Sequence, residues 1–296
     1  MGINVHGFNL LKYAAKKKPF GRVATIGRQA LHVPPEKVRR LLALTSETDF
    51  GPYCEELLKA HFGAVSIESF DNSAYEHATH VFDLNKPFVI GQTYDTVIDL
   101  GCLEHIYNAP QALRNLSDIC AEGGQILHLL PANNFCGHGF WQFSPELFFS
   151  LYSDSNGYRE TEVFLADAAN ENCWFEVKRP GNGNRAETSS ATGVFVLVRT
   201  TRTSSFSQEN VQQSDYVHLW NNPGQVVDVA GRGSFENYAN SHALDRRLKR
   251  AIGRLPLESI ARRTFKQLKN LLPSETALST RNPHLIRRSI AELGID

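Results

Sequence analysis

The stretch from Tyr94 to Phe149 constrains the fold more than any other part of the chain. Thr96, Val97, Ile98 and Leu100 form a short apolar run that reads as a buried strand. A polar, glycine-containing corner follows at Asp99 to His105. Ala109 to Ala121 then places Leu113, Leu116, Ile119 and Cys120 at the spacing of one helix face, and Gly123-Gly124 is its predicted stop. Ile126, Leu127, Leu129 and Leu130 make a second buried strand, which Pro131 is expected to break. Strand, helix and strand in about 35 residues form a βαβ unit. Two strands that are apolar throughout imply a parallel sheet covered on both faces.

The rest of the chain extends the alternation. Residues 1–21 read as a leader or a short helix lying on the domain. Arg22 to Ile26 is a predicted first strand, ended by Gly27. Pro34-Pro35 starts a helix through Leu44, because proline is tolerated in a first turn. Tyr53 to Phe62 is a second helix, stopped by Gly63. Ala64 to Ser69 and Thr79 to Phe82 read as strands two and three, with a corner at Asp71-Asn72-Ser73. Ser144-Pro145 is a helix start, the hydroxyl accepting a backbone N–H and the proline fitting the first helical position. Thr161 to Leu165 and Gly193 to Thr200 are the last strong strands, with Trp174 to Lys178 as an extra edge strand between them. Gly181 to Thr192 is a polar loop.

Composition sets bounds on partners. The chain of 296 residues carries 31 Lys+Arg and 31 Asp+Glu, so the whole molecule has no net pull on nucleic acid. The balance is uneven. From His242 onward there are 12 basic and 5 acidic residues, which leaves 19 basic and 26 acidic before it. Peripheral contact of this basic end with an anionic membrane surface is one expectation; docking of its apolar stripe (Leu255, Leu257, Ile260, Ala261, Phe265, Leu268, Leu272) on the main domain is another. Five cysteines without CxxC spacing suit reduced thiols in a cytoplasmic protein and give no metal site. No apolar run approaches the roughly 20 residues of a membrane helix, and no apolar core follows Lys16–Lys18 to make a signal peptide.

With these elements in place, the central stretch resembles the second half of a class I S-adenosylmethionine (SAM)-dependent methyltransferase domain. Tyr94-Asp95-Thr96-Val97 stands where that family commonly has Phe-Asp-x-Val, and Leu103-Glu104-His105 stands where it has Leu-Glu-His. Glu122-Gly123-Gly124 takes the place of its Pro-Gly-Gly. The resemblance extends over residues 20–200. It implies an α/β fold with a doubly wound, mostly parallel, Rossmann-like sheet whose last strand runs antiparallel. The domain plan is then a methyltransferase-like domain at 1–200, a loop-rich linker at 201–241 and a basic helical region at 242–296.

In open α/β sheets, ligands lie beyond the carboxyl ends of the strands. At the end of strand one the family has a glycine-rich turn; here only Gly27 survives, and Arg28 and Gln29 replace small residues. Arg28 is a candidate partner for the methionine carboxylate, or a strand-end arginine in a structural ion pair. The resemblance gives Asp71 the ribose hydroxyls, with a simple Asx-turn as the alternative. It gives Asp83 the adenine amino group, Leu84 a ring nitrogen through its backbone N–H, and Asp99, Leu100 and Gly101 the methionine end of the cofactor. Two histidines are candidate general bases: His105 in the corner, and His138 between Gly137 and Gly139 in the loop Asn133 to Gln142. Such a loop can close over a substrate. Cys136 has no activating partner that sequence can assign.

The resemblance therefore implies SAM-dependent methyl transfer; the lack of a strongly basic face on the catalytic domain points to a small molecule or a sugar or glycan acceptor, with no nucleic acid as partner. The missing glycines leave a second reading open: a methyltransferase-like fold without catalysis, binding a ligand or serving as an assembly partner. An NAD-dependent enzyme is disfavoured, because no GxGxxG follows strand one.

Overall fold

The structure is a computed structural model that describes residues 2–45, 48–181, 188, 190, 192–208, 211–222, 278–279 and 282–295. Along them run β1 (Gly2–Ile3), α1 (Val5–Lys17), β2 (Gly21–Ile26), β3 (Ala30–Leu31), α2 (Pro35–Leu41), α3 (Glu55–His61), β4 (Ala64–Asp71), β5 (His80–Val81) and β6 (Tyr94–Leu100). A single 3-10 turn (Leu103–His105), α4 (Ala109–Ile119), β7 (Cys120–Asn133), α5 (Pro145–Leu151), a second such turn (Asp154–Asn156) and β8 (Tyr158–Asp167) follow. The chain continues through β9 (Cys173–Val177), β10 (Val194–Arg202), α6 (Ser214–Asn221) and β11 (Leu285–Ser289).

One nine-stranded sheet has the order β11-β9-β8-β10-β7-β6-β2-β4-β5, and β1 pairs with β3 in a separate parallel ribbon. Strands β5, β4, β2, β6 and β7 are parallel. Strand β10 inserts antiparallel between β7 and β8. The doubly wound parallel part is as expected, but the sheet is mixed: β10, β8, β9 and β11 add four antiparallel pairings to the four parallel ones, where a single antiparallel last strand was expected.

The apolar runs of β6 and β7 have a simple cause. Side chains alternate across a strand. Val97 and Ile126 enter the core that holds Leu113 and Leu116 of α4 and Phe148 of α5. Their neighbours Ile98 and Leu127 enter the core on the other side, with Leu10 and Leu11 of α1 and Leu57 and Leu58 of α3. Each such side chain contributes about 1.5–3 kcal/mol by leaving water, so both faces of the sheet select against polar residues.

Helix α1 is integral to this core. Asn4 caps it by accepting the Gly7 N–H at 2.9 Å, and Lys16 and Lys17 oppose the negative end of its dipole. Ser144 caps α5 through the Glu146 N–H at 3.2 Å, with Pro145 in the first turn, as its sequence indicates.

Several expectations need correction. Helix α4 ends at Ile119, ahead of the two glycines. Cys120 already pairs with Tyr94, and the register shift before the next pair, Thr96 with Gln125, accommodates Gly123 and Gly124 in a bulge. Pro131 does not end β7, which runs on to Asn133. It lacks an N–H to give, and it pairs with Phe195 where the β10 register shifts. Strand β9 is not an edge, since β11 pairs with it antiparallel. The strand β11 and the fully buried Ile295 join the main domain, so this part of 242–296 is neither helical nor detached. The proposed basic helix His242 to Leu272 lies outside the described residues. Of the 201–241 linker, Thr201 and Arg202 finish β10, Ser214–Asn221 is helical, and residues beyond 222 lie outside the described set. No helix among the described residues is long and apolar enough to cross a membrane.

Candidate active site

From β2 the chain winds outward through β4 to β5, then returns to β6 and winds the other way to β7. The switch point lies between β2 and β6. Gly27 and Gly101 leave the carboxyl ends of these two strands with φ of 69° and 89°, a backbone that side chains with a Cβ rarely adopt. The chain thus turns sharply away on both sides of the crevice that open α/β sheets use for ligands.

The residues at the strand ends divide into two groups. Asp71 ends β4, is half-buried, and accepts the Ser73 N–H on Oδ1 at 3.1 Å, an Asx-turn. A carboxylate has about four acceptor positions, so this bond leaves capacity for further donors. Asp83 accepts the Asn85 side-chain amide at 2.8 Å and its backbone N–H at 3.0 Å; these hydrogen bonds, with Lys86 nearby, hold its carboxyl below the usual range. Leu84 is buried, and its carbonyl accepts from Asn115 at 3.2 Å.

Arg28 and Asp99 face elsewhere. Arg28 Nε donates to Glu55 at 2.7 Å, a second nitrogen donates to the Glu76 carbonyl at 3.0 Å, and the guanidinium lies 3.9 Å from the Tyr53 ring centre. Its structural pairing, the alternative weighed above, is what the geometry gives. Asp99 is fully buried. Its Oδ1 accepts the N–H groups of Cys102 and Leu103 at 3.1 and 3.2 Å. Its Oδ2 lies 2.9 Å from His128 Nδ1, and His128 Nε2 lies 2.7 Å from the Tyr152 hydroxyl. Asp99 therefore holds the corner from beneath. Nearby, Gln29 is also fully buried; its amide donates to the Ile26 carbonyl, and its Oε1 has no hydrogen-bond partner.

Beyond the corner, the two candidate histidines come together. The loop after β7 is fastened to the 3-10 turn. Phe140 and Trp141 donate their N–H groups to the Glu104 carbonyl at 2.8 and 3.3 Å, and Trp141 Nε1 donates to the Ile106 carbonyl at 3.0 Å. Gly139 permits this approach, because a Cβ there would stand 2.7 Å from the Glu104 carbonyl oxygen. His138 consequently places Nε2 at 3.5 Å from Glu104 Oε1, and His105 Nε2 lies 3.9 Å from the same oxygen. The two imidazole rings are 5.3 Å apart. Tyr107, Phe140 and Trp141 are large exposed aromatics on these same segments.

Glu104 is the residue the sequence undervalued. It is 1% exposed, and its Oε2 has no hydrogen-bond partner. Burial first, and the charge of Asp99 second, push its carboxyl up to about 8. Burial and the neighbouring His138 lower His105. No local sequence signal separates a buried glutamate from an exposed one in such a corner. His128 did carry a signal: a lone polar residue inside the apolar run Ile126 to Leu130. Cys136 is exposed, while Cys54, Cys102, Cys120 and Cys173 are buried, and all five are free thiols.

No protein-family model matches this sequence, and no curated protein matches it. Among solved structures, the fold is similar to N-methyltransferase NodS from Bradyrhizobium japonicum with S-adenosyl-L-homocysteine: 11% identity over 67% of this chain and 85% of that one, TM-score 0.38. A possible histamine N-methyltransferase from Thermotoga maritima gives 17% identity over 67% and 90%, TM-score 0.37. The 1,6-didemethyltoxoflavin-N1-methyltransferase of Burkholderia thailandensis gives 12% over 68% and 78%, TM-score 0.36. At such identities and TM-scores these likenesses assign this chain neither a substrate nor a residue role.

Proposed function

We propose that the chain is a SAM-dependent methyltransferase acting on a small-molecule or sugar acceptor. The observation that carries this reading is one crevice edge bearing Gly27, Asp71 and Gly101 at three strand ends, with Glu104, His105 and His138 gathered beside it. The residues fit the cofactor at its nucleoside end. Asp71 keeps acceptor positions for a ribose diol, and Asp83 with Leu84 lies in the segment just after the neighbouring β5, where an adenine would lie. The methionine end fits less completely, because Arg28 is held by Glu55 and Asp99 by its buried partners.

When bound, SAM supplies an electrophilic methyl group on its sulfonium. The protein's part is to position the acceptor and to take its proton. His138 is the preferred base and His105 the second: each is about half exposed, so an acceptor can reach it. With a proton on Nε2, toward Glu104, His138 keeps Nδ1 for the acceptor's proton. Tyr107, Phe140 and Trp141 offer flat apolar surface of the kind that binds sugars and heterocycles.

Calorimetric titration with SAM and S-adenosylhomocysteine tests the reading. Micromolar binding by either is expected, and Asp71→Ala should weaken it by about 1.5–3 kcal/mol, the scale of hydrogen bonds to a charged group. Unchanged affinity in the folded variant removes Asp71 from the site, and absence of binding by the intact protein refutes the function. The engagement of Arg28 by Glu55 favours one alternative, a ligand-binding fold without catalysis; that outcome would appear as SAM binding with no methyl transfer to any acceptor offered.

A further inference from the structure

Glu104, His105 and His138 present one carboxylate oxygen and two imidazole nitrogens that all lie within 4.8 Å of one another. The Nε2 atoms of His138 and His105 are 3.5 and 3.9 Å from Glu104 Oε1. We propose that these three side chains form a binding site for one divalent transition-metal ion, with two nitrogens and one carboxylate oxygen as ligands.

Three features of the cluster support the site. Its geometry is close to what an ion requires. Bonds of about 2.0–2.2 Å place neighbouring ligands roughly 3.0–3.5 Å apart; the two separations from Glu104 Oε1 are at or near that range, and rotation of the imidazoles would close the rest of a set that already lies within 4.8 Å. The two histidines can supply that movement, since their side chains are 45% and 52% exposed. Glu104 supplies the fixed point: it is buried, and its Oε2 lacks any hydrogen-bond partner. Its other oxygen, Oε1, is the one that both histidines face. The donor set is selective as well. Imidazole favours zinc, iron, cobalt, nickel and copper over magnesium or calcium, and a two-histidine, one-carboxylate set leaves positions open on the ion.

The backbone holds this arrangement before any ion arrives. Glu104 and His105 are adjacent in a 3-10 turn, and His138 reaches them because Phe140 and Trp141 are bonded to the Glu104 carbonyl. The metal site and the proton-accepting role of His138 exclude each other. A coordinated His138 is a ligand and not a base, and an acceptor hydroxyl bound at an open position would lose its proton to solvent. The metal site itself does not depend on the methyltransferase reading, and the two are tested by separate ligands.

The test uses the full chain stripped with a chelator, then titrated with Co²⁺ by calorimetry and by visible absorption. One ion per chain is expected, with a d–d spectrum characteristic of mixed nitrogen and oxygen ligands. Glu104→Gln, His105→Ala and His138→Ala should each weaken binding at least about tenfold, while SAM titration of the metal-free protein gives the same affinity in all of them. Zn²⁺ should displace Co²⁺, and Mg²⁺ should not. If Glu104→Gln does not fold, the two histidine variants decide, since their side chains are half exposed. The proposal is overturned if the stripped protein binds no Co²⁺ at 100-fold molar excess, or if His105→Ala and His138→Ala bind it as the parent does. SAM binding without metal binding would sink the metal site alone, and metal binding without SAM binding would sink the methyltransferase reading alone.

Discussion

Asp99 offers the sharpest test of how the corner is held. Its carboxylate serves three buried donors: the N–H groups of Cys102 and Leu103, and His128 Nδ1. The network fixes the tautomer of His128. An ionised Asp99 can only accept, so Nδ1 carries the proton, and Nε2 accepts from the Tyr152 hydroxyl. Asp99→Ala leaves all three donors unpaired. Each orphaned buried group costs about 1–3 kcal/mol, and the losses are not additive within one network. A total near 3–5 kcal/mol is therefore expected, comparable with breaking a buried pair.

Asp99→Asn should behave quite differently. The amide oxygen keeps the two backbone N–H groups. The amide nitrogen then faces His128 Nδ1, and the imidazole can answer by moving its proton to Nε2, which donates to the Tyr152 oxygen. The cost falls to about 1–2 kcal/mol, the difference between charged and neutral hydrogen bonds. Tyr152→Phe removes an O–H donor in the parent but an acceptor in Asp99→Asn, so the double-mutant cycle should show a coupling of at least about 0.5 kcal/mol. Urea unfolding at pH 7, with equal m-values across the set, measures all four states. If Asp99→Asn is as costly as Asp99→Ala, the tautomer argument fails. If Asp99→Ala costs under about 1 kcal/mol, the carboxylate is not a structural anchor, and its place along the cofactor returns.

Three other changes probe different parts of the fold. His6 is buried with its Nδ1 accepting from Trp174 and its Nε2 3.1 Å from the Asp167 carbonyl, and burial lowers its pKa despite the opposing effects of Asp167 and Glu171. A depressed histidine binds fewer protons folded than unfolded, so stability should be full above about pH 6.5 and fall as the pH drops below it; His6→Gln should flatten that slope in urea titrations from pH 7.5 to 5. Removing residues 285–296 uncovers the β9 edge and deletes the buried Leu285 and Ile295, each worth about 1.5–3 kcal/mol; a thermal midpoint equal to the parent's would show that this end is separable after all. Gly139→Ala would push a Cβ to 2.7 Å from the Glu104 carbonyl oxygen and should displace His138, lowering turnover while SAM affinity changes little; unaltered turnover would mean that the loop's placement does not matter.

The parallel heart of the sheet was legible because buried strands write their burial into the sequence. Val97, Ile98, Ile126 and Leu127 are apolar on both faces, and only a covered parallel sheet asks for that. The element ends were less legible, for physical reasons that differ by place. Gly123-Gly124 reads as a helix stop because glycine favours that role, yet a bulge uses the same backbone freedom. Leu285–Ser289 carries Arg287 and Arg288, which blend into a basic segment, and its strand state depends on pairing with β9, more than a hundred residues earlier. Propensity is local, and edge pairing is not. Within the site, His105 and His138 were named from chemistry alone. Their meeting at Glu104 could not be, because it depends on where a loop after β7 is fastened.

That fastening bears on what the loop can do. A loop with two glycines, a histidine and a tryptophan suggests a lid that closes over a substrate. The segment from Phe135 to Gln142 is instead pinned at several points: Phe135 N–H to Gln142, His138 N–H to the Phe135 carbonyl, Phe140 and Trp141 to the Glu104 carbonyl, and the Trp141 indole to Ile106. Opening it would break most of these bonds at once, and its Glu104 anchor sits on a turn that Asp99 holds from inside the core. The backbone segments that carry Glu104, His105 and His138 are thus held together by hydrogen bonds before any ligand arrives, which lowers the entropy an incoming ion or acceptor must lose. Preorganisation of this kind suits a reaction centre more than a hinge, because chemistry gains most from groups already placed.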